Sequence, residues 1–108
     1  MNSLPPYGSS ANRTSMVGFI VRIEMHAASY DEYEALHEAM RDVGFYKYIV
    51  SDDGRVFHLP DAEYYGLSYG PHTDVRDRMM LVADSVKPGS FVLVTQSDGI
   101  AWKLPLAS

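Results

Sequence analysis

The chain has 108 residues, no cysteine and a formal net charge of −5. That length suits one domain, and the missing thiols exclude disulfides, thiolate zinc sites and cysteine nucleophiles and fit a reducing cytoplasm. The acidic balance disfavours a non-specific nucleic-acid coat, so DNA is not expected as a partner, although a local RNA site is compatible with it.

Residues 1–15, MNSLPPYGSSANRTS, hold only Leu4 and Tyr7 as sizeable apolar groups. Such a segment cannot offset its ordering entropy by burial and reads as a disordered leader to a single domain over 16–108. Residues 17–26 read as the first strand. Phe19, Val21, Ile23 and Met25 alternate with Ile20, Arg22, Glu24 and His26, so the first set should face helices and the second an open sheet face.

The first helix opens at Ser29, with Glu32 completing a capping box. Tyr33, Leu36, Met40 and Val43 form its apolar stripe, and Gly44 is a natural residue just past its end. Residues 45–50 predict a second strand, Ser51-Asp-Asp-Gly54 a hairpin turn, and residues 56–59 the start of the return. Pro60 cannot donate to a ladder, so a bulge is expected at 58–61 before the third strand at 62–69.

Gly70-Pro71 breaks the chain, and Thr73 is the expected N-cap of a second helix. Its stripe is Val75, Met79, Val82 and Val86, and Pro88-Gly89 ends it. Residues 91–96 predict a fourth strand and residues 100–104 a short extra C-terminal strand. The order β-α-β-β-α-β implies an α+β, ferredoxin-like sandwich, with an antiparallel sheet in order 4-1-3-2 and both helices on one face. The longest apolar runs, such as residues 91–94, fall far short of the roughly 20 residues that a membrane-spanning helix needs. No membrane partner is therefore expected.

Arg22, Glu24 and His26 share a strand face and offer a cation, a base and a group titrating near neutrality. The plain alternative is a solvated or dimer-facing surface with a cross-strand ion pair. His37 borders the apolar stripe of the first helix, while His58 and His72 stand beside Pro60 and Pro71 in expected loops. The histidines lack metal-site spacing, and no glycine loop cradles phosphate, so neither metal nor cofactor is expected. Asp52-Asp53-Gly54 reads as a turn.

Tyrosine is in excess, with eight in the chain. Tyr46, Tyr48, Tyr64, Tyr65 and Tyr69 fall on the second and third strands, where aromatics can stack RNA bases or build a protein interface. The fourth strand is apolar on both faces: Phe91 and Leu93 alternate with Val92 and Val94. Helices cover only one face, so a homodimer is expected to cover the other.

The run FIVRIEMHAASYDEYEALHEAMRDVGF, followed by YIVSDDGRVFHLPDAEYYGLSY, resembles the small proteins grouped with the antitoxin GhoS, over about residues 17–96. The resemblance implies a ferredoxin-like fold akin to small CRISPR-associated nucleases and an activity that cuts a toxin's messenger RNA. It implies single-stranded RNA as a partner within a toxin-antitoxin system. In the nucleases an acidic residue near the end of the first strand serves cleavage, and Glu24 is the nearest match. In the antitoxin a basic residue on the first helix is linked to activity, and His37 falls at about that place. Glu24 replaces an Asp and His37 an Arg, and a neutral His does not clamp phosphate as Arg does.

Two readings follow. In the first, an endoribonuclease-type antitoxin uses Glu24, with His26 or His37, as base and acid and Arg22 as the phosphate cation. In the second, a non-catalytic homodimeric module binds a protein or small ligand through a tyrosine-lined surface.

Overall fold

The computed structural model describes residues 15–107. The expected leader, apart from Ser15, lies outside them. The elements are β1 (Val17–Glu24), α1 (Tyr30–Asp42), β2 (Phe45–Tyr46), β3 (Tyr48–Val50), β4 (Val56–His58), β5 (Glu63–Ser68), α2 (His72–Val86) and β6 (Phe91–Gln96). Four strands form one antiparallel sheet in spatial order β2-β5-β1-β6, and β3 and β4 pair as a separate hairpin.

Alternation on β1 organises the core. Phe19, Val21 and Ile23 are fully buried, and they pack with Leu36 and Met40 of α1 and Val75, Met79 and Ala83 of α2. Both helices thus cover one side of the sheet. The intervening Arg22 and Glu24 are exposed on the other side. The α+β class, the two helices and the antiparallel four-stranded sheet follow the period-two and period-3.6 patterns of the sequence.

Local chemistry fixes the element ends. Ser29 Oγ accepts from the Glu32 N–H at 3.1 Å, and Glu32 Oε1 accepts from the Ser29 N–H at 2.8 Å. This is the expected capping box. Gly44 takes φ +86° just past α1, a left-handed conformation that glycine adopts without a Cβ penalty. Gly66 is required for a different reason. The Phe45 ring lies across it, and a Cβ there would sit 2.7 Å from Phe45 Cδ2 and 2.5 Å from the Gly44 carbonyl oxygen.

Several expected boundaries differ. β1 ends at Glu24, so His26 stands in the turn beyond it. The second strand is not continuous: Phe45 and Tyr46 pair with β5, and after Lys47 the chain leaves the sheet to form the hairpin. The cause lies in the partner strand, which is interrupted over residues 60–62 by Pro60 and by Ala62 at φ +69°. Lys47 bridges that break, donating from Nζ to the carbonyls of Pro60 (2.9 Å) and Glu63 (3.2 Å).

α2 starts one residue before Thr73. Pro71 supplies the N-cap backbone, and its carbonyl accepts from Asp74 N at 3.0 Å. Residues 100–104 form no strand. The C-terminal segment instead meets β4 through a bridge between Phe57 and Leu106, with His58 N donating to the Pro105 carbonyl and Ala107 N to that of Val56. Trp102 explains the difference: its ring packs edge-on against Phe57 at 5.7 Å and holds this segment to the hairpin. Among the described residues no helix is long and apolar enough to cross a membrane.

Candidate functional site

The open side of the sheet holds two of the four residues singled out in the sequence. Strand register places Arg22 between Glu63 and Leu93, Glu24 opposite Phe91, and Ile20 between Tyr65 and Thr95. Cross-strand partners share a face, so these side chains form one surface. Arg22 Nη2 lies 2.9 Å from Glu24 Oε2, and Nη1 lies 3.3 Å from Glu63 Oε2. The Glu24 carboxylate, and then that of Glu63, raise the guanidinium pKa above its ordinary value. Beside this triad, Phe91 is 74% exposed and Leu93 62%, and further along the same face Leu67, opposite Gly18, is 53% exposed.

His26 is exposed in the turn after β1. His37 is on the other side of the sheet, on the face of α1 that meets β5. The four candidates therefore do not form one cluster: Arg22 and Glu24 touch, and His37 belongs to a second place.

That second place is built around Tyr64, which alternation on β5 points into the core with Gly66 and Ser68. Its side chain is fully buried, and its hydroxyl lies 2.6 Å from His37 Nδ1. Burial pushes the phenol pKa far above the usual tyrosine value, so the proton stays on oxygen. A buried phenol needs an acceptor, and Nδ1 is the one in reach. Tyr64 then donates to Nδ1, and the imidazole carries its proton on Nε2.

Burial, and then the Lys47 charge, lower the His37 pKa, which keeps the ring neutral near pH 7. Glu34 Oε2 stands 3.8 Å from Nε2. Lys47 stacks over the Tyr64 ring at 5.3 Å, and burial lowers its pKa in turn. A cleft of about 560 Å³ opens here, bounded by Tyr30, Tyr33, Glu34, His37, Lys47 and Asp61.

No protein-family model, curated protein or solved structure matches this chain. On the open face one guanidinium answers two carboxylates, leaving an acidic excess beside apolar side chains. Phosphate groups would be repelled there, whereas a protein surface carrying both signs would not. Among the described residues no three His, Asp or Glu side chains group to hold a metal ion.

Sequence reasoning missed Lys47, Asp61 and the role of Tyr64. Lys47 falls within the expected second strand at residues 45–50, and the break at 60–62 gives its ammonium the Pro60 and Glu63 carbonyls as partners. Tyr64 is no different in sequence from the other strand tyrosines, although it shares parity with Gly66 and Ser68; the small size of those two hides a core-facing set. Asp53, by contrast, is a turn residue as its sequence context predicts. It accepts from the Ser51 hydroxyl and from Arg55 Nε at 2.9 Å, and the Ser51 bond leads in holding its pKa below the ordinary value.

Proposed function

We propose that this chain is a cytoplasmic, ferredoxin-like binding module that works as a homodimer through the open face of its sheet. In that reading β1, β2, β5 and β6 are the four strands of the sandwich, in order 4-1-3-2. Exposure of Phe91 and Leu93 beside the Arg22–Glu24–Glu63 triad, with Leu67 further along the same face, carries the proposal. An isologous interface needs one patch complementary to itself. A cation flanked by carboxylates presents both signs to a second copy, and the apolar side chains beside it, rather than the net charge of the triad, favour the pairing. β6 is also an edge strand, and its six residues FVLVTQ carry no charge to deter pairing.

Sedimentation equilibrium of the full chain tests this reading. A dimer is expected, and the pair Phe91→Glu and Leu93→Glu should convert it to a folded monomer, because both side chains are outside the core. A wild-type monomer at micromolar concentration would refute the proposal.

A second reading, RNA cleavage of the antitoxin kind, draws on the resemblance to the GhoS group and on the contact between Arg22 and Glu24. Purified protein would be incubated with single-stranded RNA, with and without Mg²⁺. Cleavage that persists when Arg22, Glu24 and His37 are all replaced by Ala removes that reading.

A further inference from the structure

We propose that the cleft between α1 and the turn at residues 60–62 binds a small organic cation, a primary ammonium or guanidinium group carried on an apolar or aromatic body. This site is on the helix side of the sheet and does not depend on the dimer. Its volume, about 560 Å³, is within the range of about 300–1,000 Å³ typical of small-molecule sites.

The walls and the charges select the ligand. Tyr30 is 76% exposed at the first position of α1 and takes no part in the core cluster, so its ring is free to serve as a wall. Tyr33 forms the adjacent wall, its ring fixed by its hydroxyl, which lies 3.2 Å from the Met25 carbonyl oxygen and 3.1 Å from the Met25 N–H. Tyrosine faces attract cations through the ring quadrupole. The charged groups around the cleft are Glu34, Asp61 and Lys47.

The Lys47 ammonium already donates to two carbonyls and stacks on Tyr64, so its hydrogen-bonding capacity is largely spent although its charge is still felt in the cleft. An incoming anion would meet two carboxylates. An incoming ammonium would meet those carboxylates and two aromatic rings against the single Lys47 charge, so the balance of charge still favours a cation.

His37 gives the site a pH dependence. The groups that act on it are Glu34 and Arg41 of α1, Lys47, Asp61, and the Tyr64 hydroxyl from β5. Near pH 7 the ring is neutral and leaves the Glu34 carboxylate to the ligand. On acidification His37 becomes a cation beside Glu34 and competes with the ligand for it.

The test is an NMR titration of the full chain at pH 7.5 with three probes of like shape: phenethylammonium, 2-phenylethanol and 3-phenylpropionate. Phenethylammonium should saturate, shifting amides of residues 30–37, 47 and 61–64. The alcohol and the carboxylate should bind at least about tenfold more weakly, a difference of about 1.4 kcal/mol. Glu34→Gln with Asp61→Asn should remove that preference, whereas Asp84→Asn with Asp98→Asn, the same charge change elsewhere, should not. Lowering the pH to 5 should weaken phenethylammonium binding, and His37→Gln should abolish that loss. Equal binding of the carboxylate, a preference that survives the Glu34/Asp61 pair, or no saturable shift in the cleft would each overturn the proposal.

Discussion

The Tyr64 hydroxyl donates to Nδ1 of His37 across 2.6 Å, tying a fully buried strand residue to the helix that covers it. The bond joins β5 to α1 at the wall of the 560 Å³ cleft, so the same contact serves packing and site geometry. Tyr64→Phe keeps the ring and removes the donor. His37 is only partly buried, so water can take the vacated position. The expected loss is about 1 kcal/mol, the net worth of a typical hydrogen bond, measured by urea denaturation. Tyr64→Ala should cost far more, about 3–5 kcal/mol as for other large buried aromatics, through the cavity it leaves.

Stability should fall on mild acidification. His37 has a folded pKa below its unfolded value near 6.5, so the unfolded chain binds the extra proton more readily. The contribution is present in full above the unfolded value, is lost as pH falls through the folded one, and is flat below that. His37→Gln retains an acceptor for Tyr64 and cannot titrate. Its urea midpoint should vary less than that of the wild type between pH 7 and pH 5. An unchanged slope would mean that other groups carry the effect.

Gly66→Ala tests the contact between strand and ring. Its Cβ would fall against Phe45 and the Gly44 carbonyl, neither of which can move without disturbing the end of α1. A destabilisation of about 1–3 kcal/mol is expected from overpacking. Thermal melts of Gly66→Ala and Gly99→Ala make the comparison, since a Cβ at Gly99 meets nothing within 4 Å.

Much of this arrangement was legible in the sequence, because strong periodic signals report burial directly. Alternation from Phe19 to Glu24 and from Phe91 to Val94 gave the faces of β1 and β6. The capping box at Ser29 and Glu32 gave the start of α1. What escaped was set by contacts between distant residues. The chain leaves the sheet at Lys47 because of Pro60 and Ala62, thirteen residues and more away, and nothing local to 45–50 records it. The cleft escaped for the same reason, since Lys47 and Asp61 meet His37 only after that break. Arg22 and Glu24 share the open face and a cross-strand ion pair of the kind expected there is present, but that its acid is Glu63 follows from the register between β1 and β5, which is not a local property.

The C-terminal segment yields the last prediction. Trp102 is the single tryptophan, so its fluorescence reports on one contact, its edge-on packing against Phe57 of the hairpin. The sheet core does not depend on that contact: neither residue belongs to the core cluster, and the hairpin is a separate two-stranded unit. An isolated hairpin is marginal in water and needs further packing to persist. Phe57→Ala should therefore shift Trp102 emission to the red and speed hydrogen exchange at His58 and Ala107, whose amides donate between segment and hairpin. Exchange at Phe19 and Val21, in the centre of β1, should be unchanged. Equal acceleration at both places would show that hairpin and sheet unfold as one unit, and the C-terminal segment would then be a brace for the whole domain rather than a clasp on the hairpin.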